Sequence, residues 1–455
     1  MGLLIKNGRI VTADADYTAD IWCEGETISK IERNLQPPPG AEVIDASGKF
    51  VFPGFIDPHT HIYLPFMGTF SKDTYETATV AALCGGTTTL IDFVIPGREE
   101  EPLKAFDLWR SKAEGIACSD YTFHMAVTRF DSQIASQLKE IVKAGVKSFK
   151  VFLAYKGALG IDDKELYETL KLARSLDVIT TAHCENADVI SELQAELVAA
   201  GRTGPENHYV SRPPLVEAEG TRHLCTMAEL TGAKVYVVHL SCEEALREAV
   251  AAKLRGTDVQ VETLIQYLLL DMSYAERPNF EGAKYVMSPP LRNKSNQAVL
   301  WAALKNGVIS TLATDHAPFD TKQKLMGKDN FCLIPNGIPS LEERVKMLYT
   351  YGVAEGRLDL NRFVDVASTQ AAKIFGLFPK KGTIQLGSDA DLVVYDPKWH
   401  GTVSAKTHHM NLDYSAFEGF AVKGRCSAVT VRGKLQVKDG EFCGAKGIGQ
   451  FLKRS

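Results

Sequence analysis

Long apolar runs are absent from this 455-residue sequence, because no stretch offers the roughly 20 uninterrupted apolar residues that a membrane helix needs. The segment Met1–Gly8 also lacks the basic region and apolar core of a signal peptide. An excess of positive charge is missing too, since 51 Lys and Arg oppose 56 Asp and Glu and the net charge is -5. We therefore predict no membrane partner, no nucleic-acid partner and a small, weakly charged substrate.

Cysteine pairs of the Cys-x-x-Cys type are absent as well. The nine cysteines are odd in number and scattered along the chain, which predicts a reducing, cytoplasmic location. No Gly-x-Gly-x-x-Gly follows the first strand of the middle segment, which counts against a dinucleotide site. With 45% hydrophobic and 24% charged residues, the composition is that of an ordinary globular protein with ample material for a core.

The two ends of the chain share one pattern. Short stretches of alternating apolar and polar residues stand between turn signals near the N-terminus, as in Leu3–Val11, and return near the C-terminus, as in Asp391–Asp396. We predict a small β-sandwich domain made from both chain ends, with a larger domain inserted between them. The predicted limits are 1–54 and 376–440 for the two parts of the β-sandwich, 55–375 for the inserted domain and 441–455 for a C-terminal tail.

The middle segment alternates strands with amphipathic helices, which is typical of βα units around a parallel sheet. Asp163–Leu176 is one such predicted helix. Eight strands favour an α/β fold with a closed (β/α)8 TIM-like barrel, and an open doubly wound sheet is the alternative. After an opening strand that precedes His59, the predicted strands are Gly86–Pro96, Tyr121–Thr128, Val146–Tyr155, Val178–Glu185, Ala233–Ser241, Asp258–Leu264 and Val308–Pro318.

Two histidines end the stretch Gly54–His61, directly after the opening strand. Side chains at alternate positions of an extended segment share a face, so His59 and His61 point the same way and could chelate one ion. Such a pair decides little alone, because histidine also satisfies many ordinary hydrogen bonds. The hypothesis depends on whether later strand ends supply further ligands.

Four later strand ends each carry a polar residue, namely Lys150, His183, His239 and Asp315. Taken singly, the lysine could pair with a carboxylate, each histidine could be a hydrogen-bonded core residue, and the aspartate could be a ligand, a general base or a helix N-cap. Together they lie at the carboxyl ends of strands, where a (β/α)8 barrel carries its chemistry. We interpret the other histidines as structural or solvated, with His316 a weaker candidate than Asp315.

This pattern resembles the amidohydrolase superfamily, and within it the cyclic amidases dihydropyrimidinase and D-hydantoinase. The resemblance covers nearly the whole chain. Its most specific element is Lys150 followed five residues later by Tyr155, whereas His-x-His recurs across the superfamily. Further segments that look like this family are Leu64–Thr69, Lys150–Gly157, His183–Asn186, Ser211–Pro214, Ser288–Arg292, Thr314–Pro318 and Asn336–Pro339.

The resemblance implies a cofactor of two divalent metal ions. Zn²⁺ suits the imidazole-rich ligands best, with manganese or cobalt as substitutes. The resemblance also implies that carbon dioxide carboxylates the side-chain nitrogen (N6) of Lys150, so that the resulting anion bridges the two cations. The implied ligands are His59, His61, Lys150 and Asp315 for the first metal, and Lys150, His183 and His239 for the second.

The implied activity is hydrolysis of a cyclic amide bond. The substrates would be 5,6-dihydropyrimidines such as dihydrouracil and dihydrothymine, or 5-substituted hydantoins, and the products N-carbamoyl amino acids. Asp315 would carry the proton of a metal-activated water to the departing ring nitrogen. Tyr155 would stabilise the tetrahedral oxyanion, and its parity, opposite to that of Lys150, places it beyond the regular strand.

The resemblance further implies residues that contact the substrate. The stretch Ile62–Phe66 and its apolar neighbours could line the substrate pocket, and ordinary loop packing explains them equally well. The implied contacts are Ser288 and Asn336 for the cyclic imide, and Leu64 and Phe152 for the substituent of the ring.

Alternative functions come from the same resemblance. Allantoinase and dihydroorotase are related activities, and Tyr155 together with Leu64–Thr69 favours dihydropyrimidinase over both. Collapsin response mediator proteins share the fold as non-enzymatic interaction proteins, but they have lost metal ligands that this chain keeps. The tail from Gly440 to Arg454 resembles a family segment that packs against a neighbouring subunit, which implies a homotetramer.

Overall fold

Nineteen strands lie within residues 2–454, the part of the chain that the computed structural model describes. In chain order they are β1 (Gly2–Val11), β2 (Asp16–Glu24), β3 (Thr27–Glu32), β4 (Glu42–Asp45), β5 (Phe50–Pro53), β6 (Phe55–Thr60), β7 (Pro65–Phe66), β8 (Thr69–Phe70), β9 (Thr87–Val94), β10 (Asp120–Ala126), β11 (Ser148–Phe152), β12 (Ile179–His183), β13 (Val235–Val237), β14 (Val259–Leu264), β15 (Thr311–Ala313), β16 (Leu392–Thr402), β17 (Ala421–Val431), β18 (Lys434–Lys438) and β19 (Glu441–Phe442).

The helices fall mainly between the strands of the middle segment. Those of the α type are α1 (Tyr75–Cys84), α2 (Pro102–Ala113), α3 (Ser132–Lys143), α4 (Asp163–Ser175), α5 (Ala187–Ala199), α6 (Asn207–Val210), α7 (Pro214–Thr231), α8 (Glu243–Leu254), α9 (Ile265–Leu269), α10 (Ser295–Lys305), α11 (Thr321–Lys324), α12 (Arg344–Leu348), α13 (Leu360–Val364) and α14 (Gln370–Ile374). Short 3₁₀ and π segments are Met272–Glu276, Glu281–Tyr285, Leu325–Gly327, Phe331–Leu333, Tyr349–Val353 and Asp365–Thr369. Among the described residues, every helix is too short or too polar to span a bilayer.

The predicted (β/α)8 barrel is confirmed. Strands β6 and β9 to β15 form one sheet, in which β6 pairs in parallel with β9 and each strand from β10 to β15 pairs in parallel with the one before it. A parallel bridge between Thr60 and His316 joins the first strand to the segment after the last, and His61 N donates to His316 O at 2.8 Å. The sheet therefore closes on itself, and the carboxyl ends of its parallel strands lie at one end of the barrel.

The strands have the composition that this architecture requires. All eight residues of β9, Thr-Thr-Thr-Leu-Ile-Asp-Phe-Val, are buried, because helices cover the outside of the barrel and side chains fill its inside. The predicted helix at Asp163 is present as α4. It begins with a capping box in which Asp162 accepts from Glu165 N, and it buries Leu166, Leu170 and Ala173.

All seven strands predicted after the opening strand are shorter in the structure, and β11, β13 and β15 lose the most at their carboxyl ends. The predicted strand Val146–Tyr155 is β11, which ends at Phe152, and Val308–Pro318 is β15, which ends at Ala313. The backbone then leaves the extended region, since Tyr155 has φ +59° and Asp315 has φ +50°. The apolar pattern continues past the point at which ladder pairing stops.

Both chain ends contribute to a second, mixed sheet, as predicted. Its order is β19-β18-β17-β16-β5-β1-β2-β3, with β4 beside β1. The N-terminal and C-terminal parts join where β5 pairs antiparallel with β16, for example Phe52 with Val393. Residue Gly54 separates β5 from β6, so the chain passes there from this sheet into the barrel. The domain limits given above remain predictions.

The C-terminal tail packs on the barrel of its own chain. Phe451 contacts the rings of Tyr121 and Phe123, with centroids 6.0 and 5.7 Å away. Leu452 N donates to Tyr121 O at 2.7 Å, and Arg454 donates to Phe123 O. Much of the tail is therefore committed to contacts within the chain, and its predicted contact with a neighbouring subunit stays a prediction.

Candidate metal centre and active site

Three of the predicted metal ligands meet at the carboxyl end of the barrel. His59 Nε2 and His61 Nε2 lie 3.1 and 3.0 Å from the same Asp315 oxygen, and 3.3 Å from each other. Within residues 2–454 this is the one group of three His, Cys, Asp or Glu ligand atoms that all lie within 4.8 Å of one another. His59 and His61 share a face because they are two residues apart along β6 and its end.

The electrostatics of this trio suit a cation. Burial alone would raise the pKa of Asp315, but His59 and His61 outweigh burial and hold that pKa well below 3.8. Burial lowers the pKa of His61 to about 4, so its imidazole is neutral at pH 7. Burial also opposes protonation of His59, yet Glu262 and Asp315 raise its pKa to about 9. A proton on His59 thus occupies the place between nitrogen and carboxylate that a metal ion would take.

Glu262, which is not among the predicted site residues, fixes the orientation of His59. Its Oε1 lies 2.7 Å from His59 Nδ1 and accepts His239 N at 2.8 Å. Its Oε2 accepts the Tyr236 hydroxyl at 2.8 Å. The hydrogen bond from Nδ1 to Glu262 aims Nε2 of His59 at Asp315, so that Nε2 could bind a metal ion there in place of the proton. The signal in the sequence was a glutamate inside the otherwise mostly apolar β14, Val-Gln-Val-Glu-Thr-Leu.

A second group lies beside the trio and contains His183 and His239. Their ring centroids are 4.6 Å apart, and His239 lies 5.3 Å from the ring of His59. His183 Nε2 lies 2.8 Å from Glu185, which also accepts Arg212 at 2.6 Å, so Nδ1 of His183 remains for another partner. Nδ1 of His61 and of His239 are buried and have no hydrogen-bond partner within residues 2–454.

Lys150 lies on β11 and is 1% exposed. Its Nζ stands 5.0 Å from the ring centroids of both Phe93 and Phe152. Among residues 2–454, Lys150 takes part in none of the ion pairs with a nitrogen–oxygen separation up to 4.0 Å. Burial lowers its pKa from 10.5 to about 8. A neutral amine, the form that reacts with carbon dioxide, is therefore more abundant here than on an exposed lysine.

A pocket of about 470 Å³ opens at this end of the barrel. Every predicted site residue except His59 lines this pocket, and His59 lies behind the lining residues His61 and Asp315, which it contacts. Its lining combines a cluster of apolar side chains, which forms an apolar wall, with amide, hydroxyl and imidazole groups. The lining residues are His61, Leu64, Phe66, Ile95, Lys150, Phe152, Tyr155, Leu159, His183, His239, Ser288, Asp315, Ala317, Asn336 and Gly337.

Tyr155 reaches this pocket from a turn beyond β11. The amides of Ala158, Leu159 and Gly160 all donate to Tyr155 O at 3.0 or 3.1 Å, which stabilises the left-handed backbone of Tyr155. Burial raises the pKa of its hydroxyl, and Arg212, whose Cζ lies 5.6 Å from the ring, opposes that effect. Tyr155 therefore stays a protonated donor at neutral pH.

The predicted imide contacts are adjacent to each other. Asn336 Nδ2 donates to Ser288 Oγ at 3.0 Å, and His208 Nε2 lies 3.2 Å from the same oxygen. His208 is thus structural but closer to the pocket than its sequence context indicated. His316 Nε2 lies 2.8 Å from Asp73, and His124 Nε2 lies 2.9 Å from Pro58 O.

The remaining histidines lie away from the ligand cluster. His400 is exposed on β16. The other ring contacts are His223 with Asp163 at 3.1 Å, His408 with Leu412 O at 3.0 Å and His409 with Glu342 at 3.3 Å.

Comparison with known proteins places this geometry in a family. The profile of the amidohydrolase family matches residues 50–436. The chain belongs to the amidohydrolase family. A family member from Geobacillus stearothermophilus, named D-hydantoinase, is 49% identical over 457 residues, which cover 100% of this chain and 97% of that protein.

Solved structures of this amidohydrolase family agree. A structure titled D-hydantoinase (dihydropyrimidinase) from Thermus sp. has a TM-score of 0.98 and 61% identity, and covers 99% of each chain. A dihydropyrimidinase from Brevibacillus agri also has a TM-score of 0.98, at 45% identity, and covers 100% of this chain and 99% of that one. The likeness therefore includes the barrel, the mixed sheet and the segments that form the pocket.

Proposed function

We propose that this protein hydrolyses the cyclic amide bond of 5,6-dihydropyrimidines and 5-substituted hydantoins, releasing N-carbamoyl amino acids. The observation that carries the proposal is the convergence of His59, His61 and Asp315 beside Lys150, a buried amine without a carboxylate partner among residues 2–454. Relatives and solved structures named D-hydantoinase and dihydropyrimidinase support the same substrate class.

The cofactor in this proposal is a pair of divalent metal ions, with Zn²⁺ the best match to the imidazole nitrogens. His59, His61 and Asp315 would hold one ion and His183 and His239 the other, with carboxylated Lys150 as a ligand that both sets would share. In the unmodified chain the second set contains only two histidines. Carboxylation of Lys150 would add an oxygen ligand to it. When bound, the metals activate water and polarise the carbonyl group that is attacked.

The residues of the chain orient the substrate and move protons. Asp315 is ionised and lines the pocket, so it takes the proton from the attacking water and returns it to the departing ring nitrogen. The Tyr155 hydroxyl donates to the carbonyl oxygen as negative charge develops there. Ser288 and Asn336 hold the uncleaved imide part of the ring.

The apolar wall of the pocket contacts the ring substituent in this proposal. Leu64 and Phe152 line the pocket and are 6% and 5% exposed. Phe66 packs edge-to-face on Tyr155, with centroids 5.5 Å apart, so the wall and the oxyanion donor are in direct contact. Substituent binding can therefore affect the position of the Tyr155 ring.

An allantoinase-like activity and a non-enzymatic role like that of collapsin response mediator proteins are the weaker alternatives. The complete set of candidate ligands opposes the non-enzymatic role. Tyr155 and the apolar wall favour hydantoins and dihydropyrimidines over allantoin, whose substituent is a polar ureido group. The relatives named above favour the same choice.

We also propose a cytoplasmic homotetramer. All nine cysteines are free, and most of them are buried, which suits a reducing compartment. Light scattering on the purified protein checks the mass of the assembly.

The proposed function is tested by assaying purified protein after reconstitution with Zn²⁺ in bicarbonate. Dihydrouracil, hydantoin, a 5-substituted hydantoin and allantoin are the substrates, and Asp315→Asn is the inactive control. We expect kcat/KM for the first three to exceed that for allantoin by about tenfold or more, which corresponds to about 1.4 kcal/mol. Absence of metal binding together with no opening of any ring would contradict the proposal.

A further inference from the structure

Lys324 is a second buried lysine, and the chemistry proposed above does not use it. It ends α11 and is 1% exposed. Its Nζ donates to three backbone carbonyl oxygens, those of Val286 at 2.9 Å, Pro335 at 2.7 Å and Gly337 at 2.7 Å. Burial lowers the pKa of Lys324, but an ammonium group has three N–H donors for three acceptors, whereas a neutral amine would leave one carbonyl without a donor.

The three carbonyls belong to the two segments that carry the predicted imide contacts. Pro335 and Gly337 stand on either side of Asn336, and Val286 precedes Ser288 by two residues. Both segments are irregular, so no ladder of secondary structure fixes their carbonyls. Lys324 therefore supplies hydrogen bonds on both sides of Asn336 and close to Ser288.

The two segments also contact each other. Gly337 N donates to Val286 O at 3.0 Å, and Asn336 Nδ2 donates to Ser288 Oγ at 3.0 Å. The carbonyl of Val286 thus accepts from both Gly337 and Lys324. Loss of the ammonium would leave one backbone bond and one side-chain bond between the segments.

Lys324 further connects these segments to the one that carries Asp315. Helix α11 follows Asp315 closely in sequence, and its N-cap Asp320 accepts Gln323 N at 2.8 Å. Gly337 also lies against the segment that follows Asp315, since a Cβ at Gly337 would lie 2.4 Å from Ala317 O. Lys324 therefore links the imide contacts to the segment that follows Asp315.

We propose that Lys324 is a positioning residue for substrate binding, whose ammonium group holds the Val286–Ser288 and Pro335–Gly337 segments so that Ser288 and Asn336 grip the uncleaved part of the ring. This inference rests on the proposed function. Lys324 does not touch the ligand cluster, so metal content and Lys150 carboxylation are independent of it. Its loss acts mainly on binding of the ring.

The test uses Lys324→Met, which keeps the length and removes all three donors. We expect KM for hydantoin and dihydrouracil to rise about tenfold or more while kcat changes by less than about threefold. Lys324→Gln keeps two N–H donors and should give an intermediate KM. Metal content should equal that of the wild type in both variants. A KM within twofold of the wild type, or a loss confined to kcat, would overturn the inference.

Hydrogen exchange gives a readout that is independent of turnover. We expect faster amide exchange in 286–288 and 335–337 of Lys324→Met, with β11 and β12 unchanged. Lys381→Met, a buried lysine at the opposite end of the barrel, is the matched control and should leave these segments and KM unaltered.

Two outcomes separate failure of this inference from failure of the proposed function. If the wild type opened no ring, the proposed function would fall, while unchanged exchange in 286–288 and 335–337 would overturn the positioning role itself. If Lys324→Met does not fold, the same exchange and KM measurements on Lys324→Gln decide, and wild-type values there refute the role.

Discussion

The two ends of the barrel treat a buried lysine in opposite ways. At the N-terminal end, Lys381 is 2% exposed and its Nζ lies 2.6, 2.9 and 2.7 Å from carboxylate oxygens of Asp120, Asp389 and Asp391. At the carboxyl end, Lys150 is 1% exposed and has no such partner within residues 2–454. A paired lysine joins the barrel to the mixed sheet, whereas an unpaired one is available for chemistry.

The same contrast holds for the groups around each lysine. Asp120 accepts from Lys381, from Arg432 and from Gln450 N, so its oxygens are fully used. At the carboxyl end, imidazole nitrogens lack partners, and Tyr155, His239 and Asp315 all have positive φ. Such backbone costs about 1–3 kcal/mol per residue and persists where neighbouring structure imposes it. One end stabilises the fold, and the other keeps unsatisfied groups for ligands.

Replacing Lys150 should have the largest effect on activity, because it removes the buried lysine that is available for chemistry. Lys150→Ala removes the only group that we expect to join both metals, and metal ions supply several kcal/mol of transition-state stabilisation. We expect kcat/KM to fall roughly 10⁴-fold and metal content to fall with it, as measured by steady-state kinetics and elemental analysis.

A chemical rescue sharpens this prediction. Short carboxylic acids such as acetate mimic the lost carbamate and should restore part of the activity of Lys150→Ala, but none of that of Asp315→Asn. A fully active Lys150→Ala variant would refute the bridging role.

Replacing Lys381 should affect stability and spare catalysis. Lys381→Met removes the cation that three buried carboxylates share and leaves Asp391 without one, which should lower the free energy of unfolding by about 3–5 kcal/mol. In metal-free protein, where Lys150 is unmodified, Lys150→Met is the matched control and should cost less than about 1.5 kcal/mol, since it removes an unpaired charge at similar volume. Urea titration of both variants checks the difference. Equal losses would remove the distinction between the two lysines.

Replacing Tyr155 should give a smaller and more specific effect. Tyr155→Phe keeps the contact with Phe66 and removes one oxyanion donor, so we expect kcat to fall about 10²-fold with little change in KM or metal content. Arg212→Met, which removes the cation over the same ring, is a useful comparison. A change in KM alone would assign Tyr155 to ground-state binding instead.

Much of the fold was predictable because a period of two or of 3.6 residues survives in the sequence. The eight barrel strands and α4 follow such patterns. His59, His61, His183, His239 and Asp315 stand out as polar residues at or just beyond strand ends, and Lys150 stands out inside β11. The ends of β11 and β15 were placed too late, because their apolar pattern continues into segments where positive φ ends the pairing.

Other residues could not be found from local pattern, since their partners lie far away along the chain. Glu262 meets His59 across 203 positions, and Lys324 meets Val286 across 38. A glutamate in a strand and a lysine at the end of a short helix look ordinary until those contacts exist. Arg212 belonged to a recognised segment, yet its place over Tyr155 depends on the turn after β11.

The central claim is that Lys150 is chemically modified where Lys381 is not, and ¹³C NMR tests it most directly. Metal-free protein is reconstituted with Zn²⁺ in ¹³C-bicarbonate, and bound metal is counted in the same sample. We predict one carbamate resonance and two metal ions per chain. Lys381→Met should keep the resonance and the metal ions, and Lys150→Ala should lose the resonance. A fully active, metal-loaded wild type without a carbamate resonance, or one whose resonance persists in Lys150→Ala, would contradict the claim.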